Sequence, residues 1–393
     1  MKTKHSIVSL LLFAGLCSVT SCIGGRGGKD EAGKGDSVIQ KTPVTYNIYV
    51  ENSGSMVGYC DISNKSSLET LVNDYYQVLN SQDEVNAVAL NFINTSIERG
   101  SDDIISFQKS IKGKCTATYT KIDDMLNMMM DSVTSDRINL LFSDYVFTTD
   151  NGNLQMASNA ITSMFTKQLK NKDLAVVIYK YMVDFNGKYY PGGIRCNKPL
   201  PLYVWAFGNR ENLRDLTRMP FISSNCGVFF LQKSCDIDFK IEAASARVTD
   251  KNKKTIYVSK WDKVRHEDYY EITLTANMKD VLLTDNEILS YSNYRIQTNN
   301  SSKYRIDKIS KTDDDEYTFT IQTNGTNPSP GELTITYPIT TPQWVAASNF
   351  TGTGIPADST TYGVSYLIDG VNKAFKDVSK NKFNYFEIKL NLE

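Results

Sequence analysis

The stretch Thr45-Tyr46-Asn47-Ile48-Tyr49-Val50-Glu51-Asn52-Ser53-Gly54-Ser55-Met56 governs the reading of this chain. Its first half is β-branched and aromatic, the composition of a strand. At Glu51 the apolar run gives way to small polar residues, so the strand ends on a carboxylate and the following turn carries two hydroxyls. Strand-like and helix-like runs alternate outward from there. A helix is expected from about Ser66, where Ser66-Ser67-Leu68-Glu69 has the form of a capping box and Leu68, Leu71, Val72, Tyr75, Val78 and Leu79 share one face. Val85 to Ile93 reads as the next strand, and Ile104 to Ser110 as a further strand or hairpin. Thr120 to Val133 has helical spacing through Ile122, Met125, Leu126, Met129 and Met130, a stripe that serves core packing.

The pattern continues with an apolar strand from Arg137 to Val146, a helix from Leu154 to Leu169, strands at Leu174 to Val183 and Pro201 to Phe207, and a short helix from Glu211 to Arg218. Apolar strands separated by amphipathic helices predict an α/β domain over residues 44–235, built on a doubly wound, mainly parallel sheet. From Ile237 onward the runs are shorter and alternate in polarity, as in Tyr269 to Thr275, Tyr294 to Thr298, Tyr317 to Thr323 and Leu333 to Tyr337. Residues 236–393 therefore read as a smaller β-rich, sandwich-like domain with one helix, Tyr366 to Val378, and a closing strand, Phe383 to Leu392.

Glu51-Asn52-Ser53-Gly54-Ser55-Met56 resembles the opening of the metal-ion-dependent adhesion site of the von Willebrand factor type A family, Asp-x-Ser-x-Ser after the first strand. The family adds a threonine at the start of a later helix and an aspartate at the end of a central strand. Thr120 and Asp144, 69 and 93 residues beyond Glu51, match those places. The resemblance covers about residues 44–235 and implies that Glu51, Ser53, Ser55, Thr120 and Asp144 hold a divalent cation, magnesium first, with manganese or calcium as alternatives. It also implies that an acidic group on a protein or envelope ligand completes the ion's shell. Hydroxyls and carboxylates without thiolate or imidazole suit such hard cations. The chain departs from the family in having Glu51 for aspartate, so a scaffold that keeps the fold without the ion is the alternative, and a metal-assisted hydrolase a third.

Residues 1–21 read as an export signal: Lys2 and Lys4, a largely apolar run from Ile7 to Leu16, then Val19-Thr20-Ser21-Cys22, which resembles a lipobox. The apolar run is shorter than the roughly 20 residues that span a bilayer, so a lipid on Cys22 is the only membrane attachment expected. Residues 22–43 form a glycine-rich tether. Its Lys29-Asp30-Glu31 looks like the charged signal that sends some Bacteroidetes lipoproteins to the cell surface, so an outer-membrane lipoprotein is expected, facing either outward or into the periplasm. Of seven cysteines, Cys17 falls in the signal and Cys22 takes the lipid, which leaves Cys60, Cys115, Cys196, Cys226 and Cys235. Cys60–Cys115 and Cys226–Cys235 are the candidate disulfides.

Counts exclude other chemistries. With 43 Lys plus Arg against 44 Asp plus Glu, there is no basic field to hold nucleic acid. The two histidines are His5, in the signal, and His266, so a zinc centre or a Ser-His-Asp relay finds too few imidazoles, and no catalytic residue is assigned. Asp313-Asp314-Asp315-Glu316 lacks the spacing of a calcium loop and reads as a solvated turn, and Asp150-Asn151-Gly152-Asn153 as a plain turn. Tyr59, Tyr189 and Tyr190 are ligand-contact candidates against a default of packing. Palmitate labelling is expected in wild type and lost in Cys22→Ala, with the variant moving from the membrane to the soluble fraction.

Overall fold

A computed structural model describes residues 42–149, 152–219, 227–244, 247–250, 254–257, 269–301, 303–323, 328–379 and 382–393. The expected signal peptide, Cys22, nearly all of the tether, Cys226 and His266 lie outside the described residues. The chain is mixed α/β, and its largest sheet is assembled around the stretch quoted above. Strand β1 (Val44–Glu51) is central, parallel to β2 (Val85–Ile93) on one side and to β4 (Arg137–Ser143) on the other, while β3 (Ile97–Arg99) turns back antiparallel on β2. Helices α1 (Leu68–Asn80), α2 (Ile104–Lys114) and α3 (Ile122–Asp131) are the connections.

Beyond β4 the sheet departs from the expected parallel order. After α4 (Leu154–Asn171) and β5 (Ala175–Val183) the chain makes a small hairpin, β6 (Asn186–Tyr189) and β7 (Ile194–Asn197), and returns as β8 (Leu200–Gly208). A return without a crossover helix makes β8 antiparallel to β5, and β8 then inserts antiparallel between β4 and β5. Helix α5 (Arg210–Arg218) and β9 (Gly227–Leu231), antiparallel to β5, complete the seven-stranded order β3-β2-β1-β4-β8-β5-β9. The sheet is mixed, with parallel pairing confined to β2-β1-β4.

Two local expectations are corrected. Residues 104–110 belong to helix α2, because Asp103 caps it by accepting from Ser106 N (2.8 Å), and Phe107 and Ile111 bury one helical face. Helix α1 starts one residue late: Ser67 is the cap, and Glu69 accepts from Asp61 N at 3.1 Å instead of closing the box.

The rest of the chain gives β10 (Cys235–Asp236), β11 (Asp238–Ala244), β12 (Arg247–Asp250), β13 (Thr255–Tyr257), β14 (Glu271–Asn277), α6 (Asp285–Leu289), β15 (Arg295–Thr298), β16 (Tyr304–Lys311), β17 (Glu316–Thr323), β18 (Gly331–Pro338), α7 (Gln343–Ala347), β19 (Asn349–Phe350), β20 (Thr361–Tyr362), α8 (Val364–Val378) and β21 (Asn384–Leu392). One sheet has the order β12-β13-β21-β18-β15, with β10 added on β21, and a second has the order β11-β14-β17-β16. Tyr294 joins them, its ring 5.6 Å from Phe319 and 6.0 Å from Phe386. The acidic turn is more than solvated, since Asp315 pairs with Arg214 (3.2 Å) and Arg218 (2.9 Å) of α5.

The helix expected inside the β-rich part leaves it. α8 lies along α4, where Thr162 donates to Gly370 O at 2.9 Å. A Cβ on Gly370 would stand 2.6 Å from Ser158 O, backbone that cannot swing aside. Gly370→Ala is therefore expected to cost about 1–3 kcal/mol in urea denaturation, with far-UV circular dichroism unchanged.

Candidate functional site

β1 and β4 are the neighbours from which the chain departs in opposite directions across the sheet, and ligands of open α/β sheets bind beyond the carboxyl ends of such strands. Glu51 is the last residue of β1, and Asp144 follows the last residue of β4. Ser53 pairs as an isolated bridge with Ala117, which draws the loop ahead of α3 against the end of β1, and Gly54 N donates to Ala117 O (2.8 Å). Ser55 sits in the 3-10 helix Gly54–Tyr59. Thr120 precedes α3.

All five expected residues converge. Thr120 Oγ1 donates to Glu51 Oε1 at 2.6 Å. Ser53 and Ser55 share a hydroxyl hydrogen bond of 2.9 Å, and Ser55 also bonds to Asp144. Val146 N donates to Asp144 Oδ1 (3.1 Å). A sixth residue that sequence reasoning missed joins them: the Ser143 hydroxyl donates to Glu51 Oε2 and accepts from Tyr145 N at 2.9 Å. The available signal was its place directly before Asp144 at a strand end. Tyr145 takes φ +49, a left-handed conformation rare outside glycine, and its ring stacks on Trp205 at 4.6 Å.

The site is deep. Glu51 is fully buried, Ser53 and Asp144 are each 2% exposed, and only Ser55 and Thr120 are half-buried. Among the described residues, neither carboxylate takes part in an ion pair. Burial, and secondarily the charge of Glu51, raises the Asp144 carboxyl to about 7, although the Ser55 and Val146 hydrogen bonds favour its ionised form. Two buried acids without a basic partner need a proton or a cation, and the all-oxygen donor set fits a hard divalent ion. On that test Glu51, Ser53, Ser55, Thr120 and Asp144 are the residues that would hold it.

Tyr59 and Tyr189 are buried in the core. The Tyr59 hydroxyl donates to Pro201 O (2.9 Å), and the Tyr189 hydroxyl accepts from Tyr362 N (2.8 Å), while Tyr190 is 44% exposed. The β6–β7 hairpin carrying Tyr189 is pressed onto the turn behind Ser55, where a Cβ on Gly58 would lie 2.2 Å from the Phe185 ring. Cys60 and Cys115 are buried free thiols in contact with each other. The Cys115 thiol also points at Glu51 O (3.9 Å). Cys235 is likewise a free thiol, and its expected partner, Cys226, lies outside the described residues. Among those residues, no helix is long and apolar enough to cross a membrane. Comparison of the chain with protein-family models, curated proteins and solved structures finds no match.

The raised Asp144 carboxyl has a definite sign. Its protonated form contributes stability that is complete below the unfolded value near 4 and lost as pH rises through about 7. In EDTA, the wild-type unfolding free energy is expected to fall by about 2–4 kcal/mol between about pH 5 and pH 8. Asp144→Asn should flatten that slope in denaturant titrations at matched salt.

Proposed function

We propose that this chain is a lipid-anchored envelope protein that binds a divalent cation at the β1–β4 switch point and, through it, an acidic group on a protein or envelope ligand. The convergence of Glu51, Ser53, Ser55, Thr120 and Asp144 from three separate chain segments carries the reading. A cation would supply the positive charge that two buried carboxylates lack, and the half-buried Ser55 and Thr120 mark the side from which a ligand approaches. Such a site needs no nucleophile or proton shuttle, so its role is recognition and not catalysis. Magnesium is the leading ion, with manganese and calcium as alternatives.

One observation favours a second reading, a metal-free scaffold. Both Glu51 oxygens already accept hydroxyl protons, from Thr120 and from Ser143, so the longer side chain itself clasps the strand ends together. Isothermal titration with magnesium and manganese separates the two. Cation binding predicts heat and a thermal shift in wild type, both lost in Ser53→Ala and Asp144→Ala. The clasp predicts neither, along with envelope pull-downs that are insensitive to EDTA. Glu51→Asp sharpens the contrast, because withdrawing one methylene opens room for the ion and should tighten manganese binding under the first reading only.

A further inference from the structure

Beside the carboxylate site, on the β1–β2 side of the same strand ends, lies a cavity of about 350 Å³ whose walls include Asn52, Asn94, Glu98, Thr118, Tyr119 and Lys121. Two of these side chains carry an unmet hydrogen-bonding need: the amide oxygens of Asn52 and Asn94 are buried and have no partner. Asn94 is 5% exposed, and its orientation is set because Nδ2 donates to Tyr119 O at 2.9 Å. Asn52 is held through its backbone, its N–H on Ile93 O (3.1 Å) and its carbonyl on Ala117 N (3.1 Å). Buried acceptors left unpaired are rare and costly, and they are satisfied when a donor-bearing group enters. Above them Tyr119 is 78% exposed, an aromatic ring with no packing role of its own.

The charges indicate which donor. Glu98 pairs with Lys114, and Lys121 lies 3.8 Å from Asp124, so each charge on the lining has a partner of opposite sign and the cavity carries no excess of either. Paired amide acceptors, surrounding hydroxyls and an exposed aromatic ring match an uncharged molecule with a rim of hydroxyl donors and an apolar C–H face. We propose that this cavity binds a neutral or N-acetylated pyranose unit of a glycan. Its hydroxyls donate to Asn52 Oδ1 and Asn94 Oδ1, and its C–H face lies on Tyr119. The volume is at the small end of ligand pockets and suits a single ring with part of its neighbour. The site is distinct from the cation site, although Asn52 and Tyr119 are chain neighbours of Glu51 and Thr120.

Saturation-transfer-difference NMR of the purified protein, in EDTA, with glucose, galactose, mannose and N-acetylglucosamine tests the assignment. At least one sugar should receive ring-proton saturation. Tyr119→Ala, an exposed substitution that leaves the core intact, should weaken it about tenfold, while Tyr119→Trp should keep it. Asn94→Leu, which removes the unpaired acceptor, should not bind. Absence of transfer from all four sugars, or transfer that survives Tyr119→Ala, overturns the proposal. EDTA keeps the outcome separate from the cation reading, which this experiment neither needs nor touches.

Discussion

A carboxylate removed from water must be met by donors or by a counter-charge, and Glu51, fully buried at the end of the central strand, is such a group. Its two oxygens are reached only because β4 lies parallel beside β1 and because the loop before α3 is drawn back against Ser53. Strand order, the bridge between Ser53 and Ala117, and the turn that strains Tyr145 all serve that single requirement. Asp144 adds a second buried acid, whose carboxyl is raised to about 7 by burial and then by the charge of Glu51. The fold thereby places two buried acids, without an ion pair among the described residues, at the ends of β1 and β4.

Much of this was legible in the residues. The strand β1, its ending at Glu51 and the helices α1, α3 and α4 follow from periodicity and spacing, because each is decided by neighbours close in sequence, whereas the grouping of Glu51, Ser53, Ser55, Thr120 and Asp144 came from the family resemblance. Ile104 to Ser110 misled, since Ile104-Ile105 looks β-branched while Asp103 and the Phe107–Ile111 spacing write a helix. The antiparallel β8 was not legible either. Pro201 to Phe207 is apolar throughout, and a strand buried on both faces carries no mark of its direction. Ser143 escaped notice for a related reason: its partner, Glu51, is 92 residues away.

The covering of the strand ends by the C-terminal part was beyond any local reading. Lys180 of β5, its ammonium held below the usual lysine range by burial, donates to Ser348 Oγ (2.6 Å) and Ser359 O (3.0 Å). Trp344 donates to Val228 O (3.3 Å), Phe147 N to Tyr362 O (2.9 Å), and Tyr203 to Thr361 Oγ1 (3.3 Å). These contacts lie over the β4-β8-β5-β9 side of the sheet, while the cavity of Asn52 and Asn94 lies at the ends of β1 and β2. The C-terminal part of the chain thus covers one side of the sheet and leaves the β1–β2 end uncovered by these contacts.

The seat of α8 on α4 also places a condition on time. Thr162 finds its carbonyl partner at Gly370, 208 residues later, so α4 emerges from synthesis long before the surface that covers it. Through that interval its apolar residues, Ile161 and Phe165 among them, lack the helix that later shields them, and closing so long a loop is a slow step. The packing of α4 is therefore completed only after the C-terminal helix has been made.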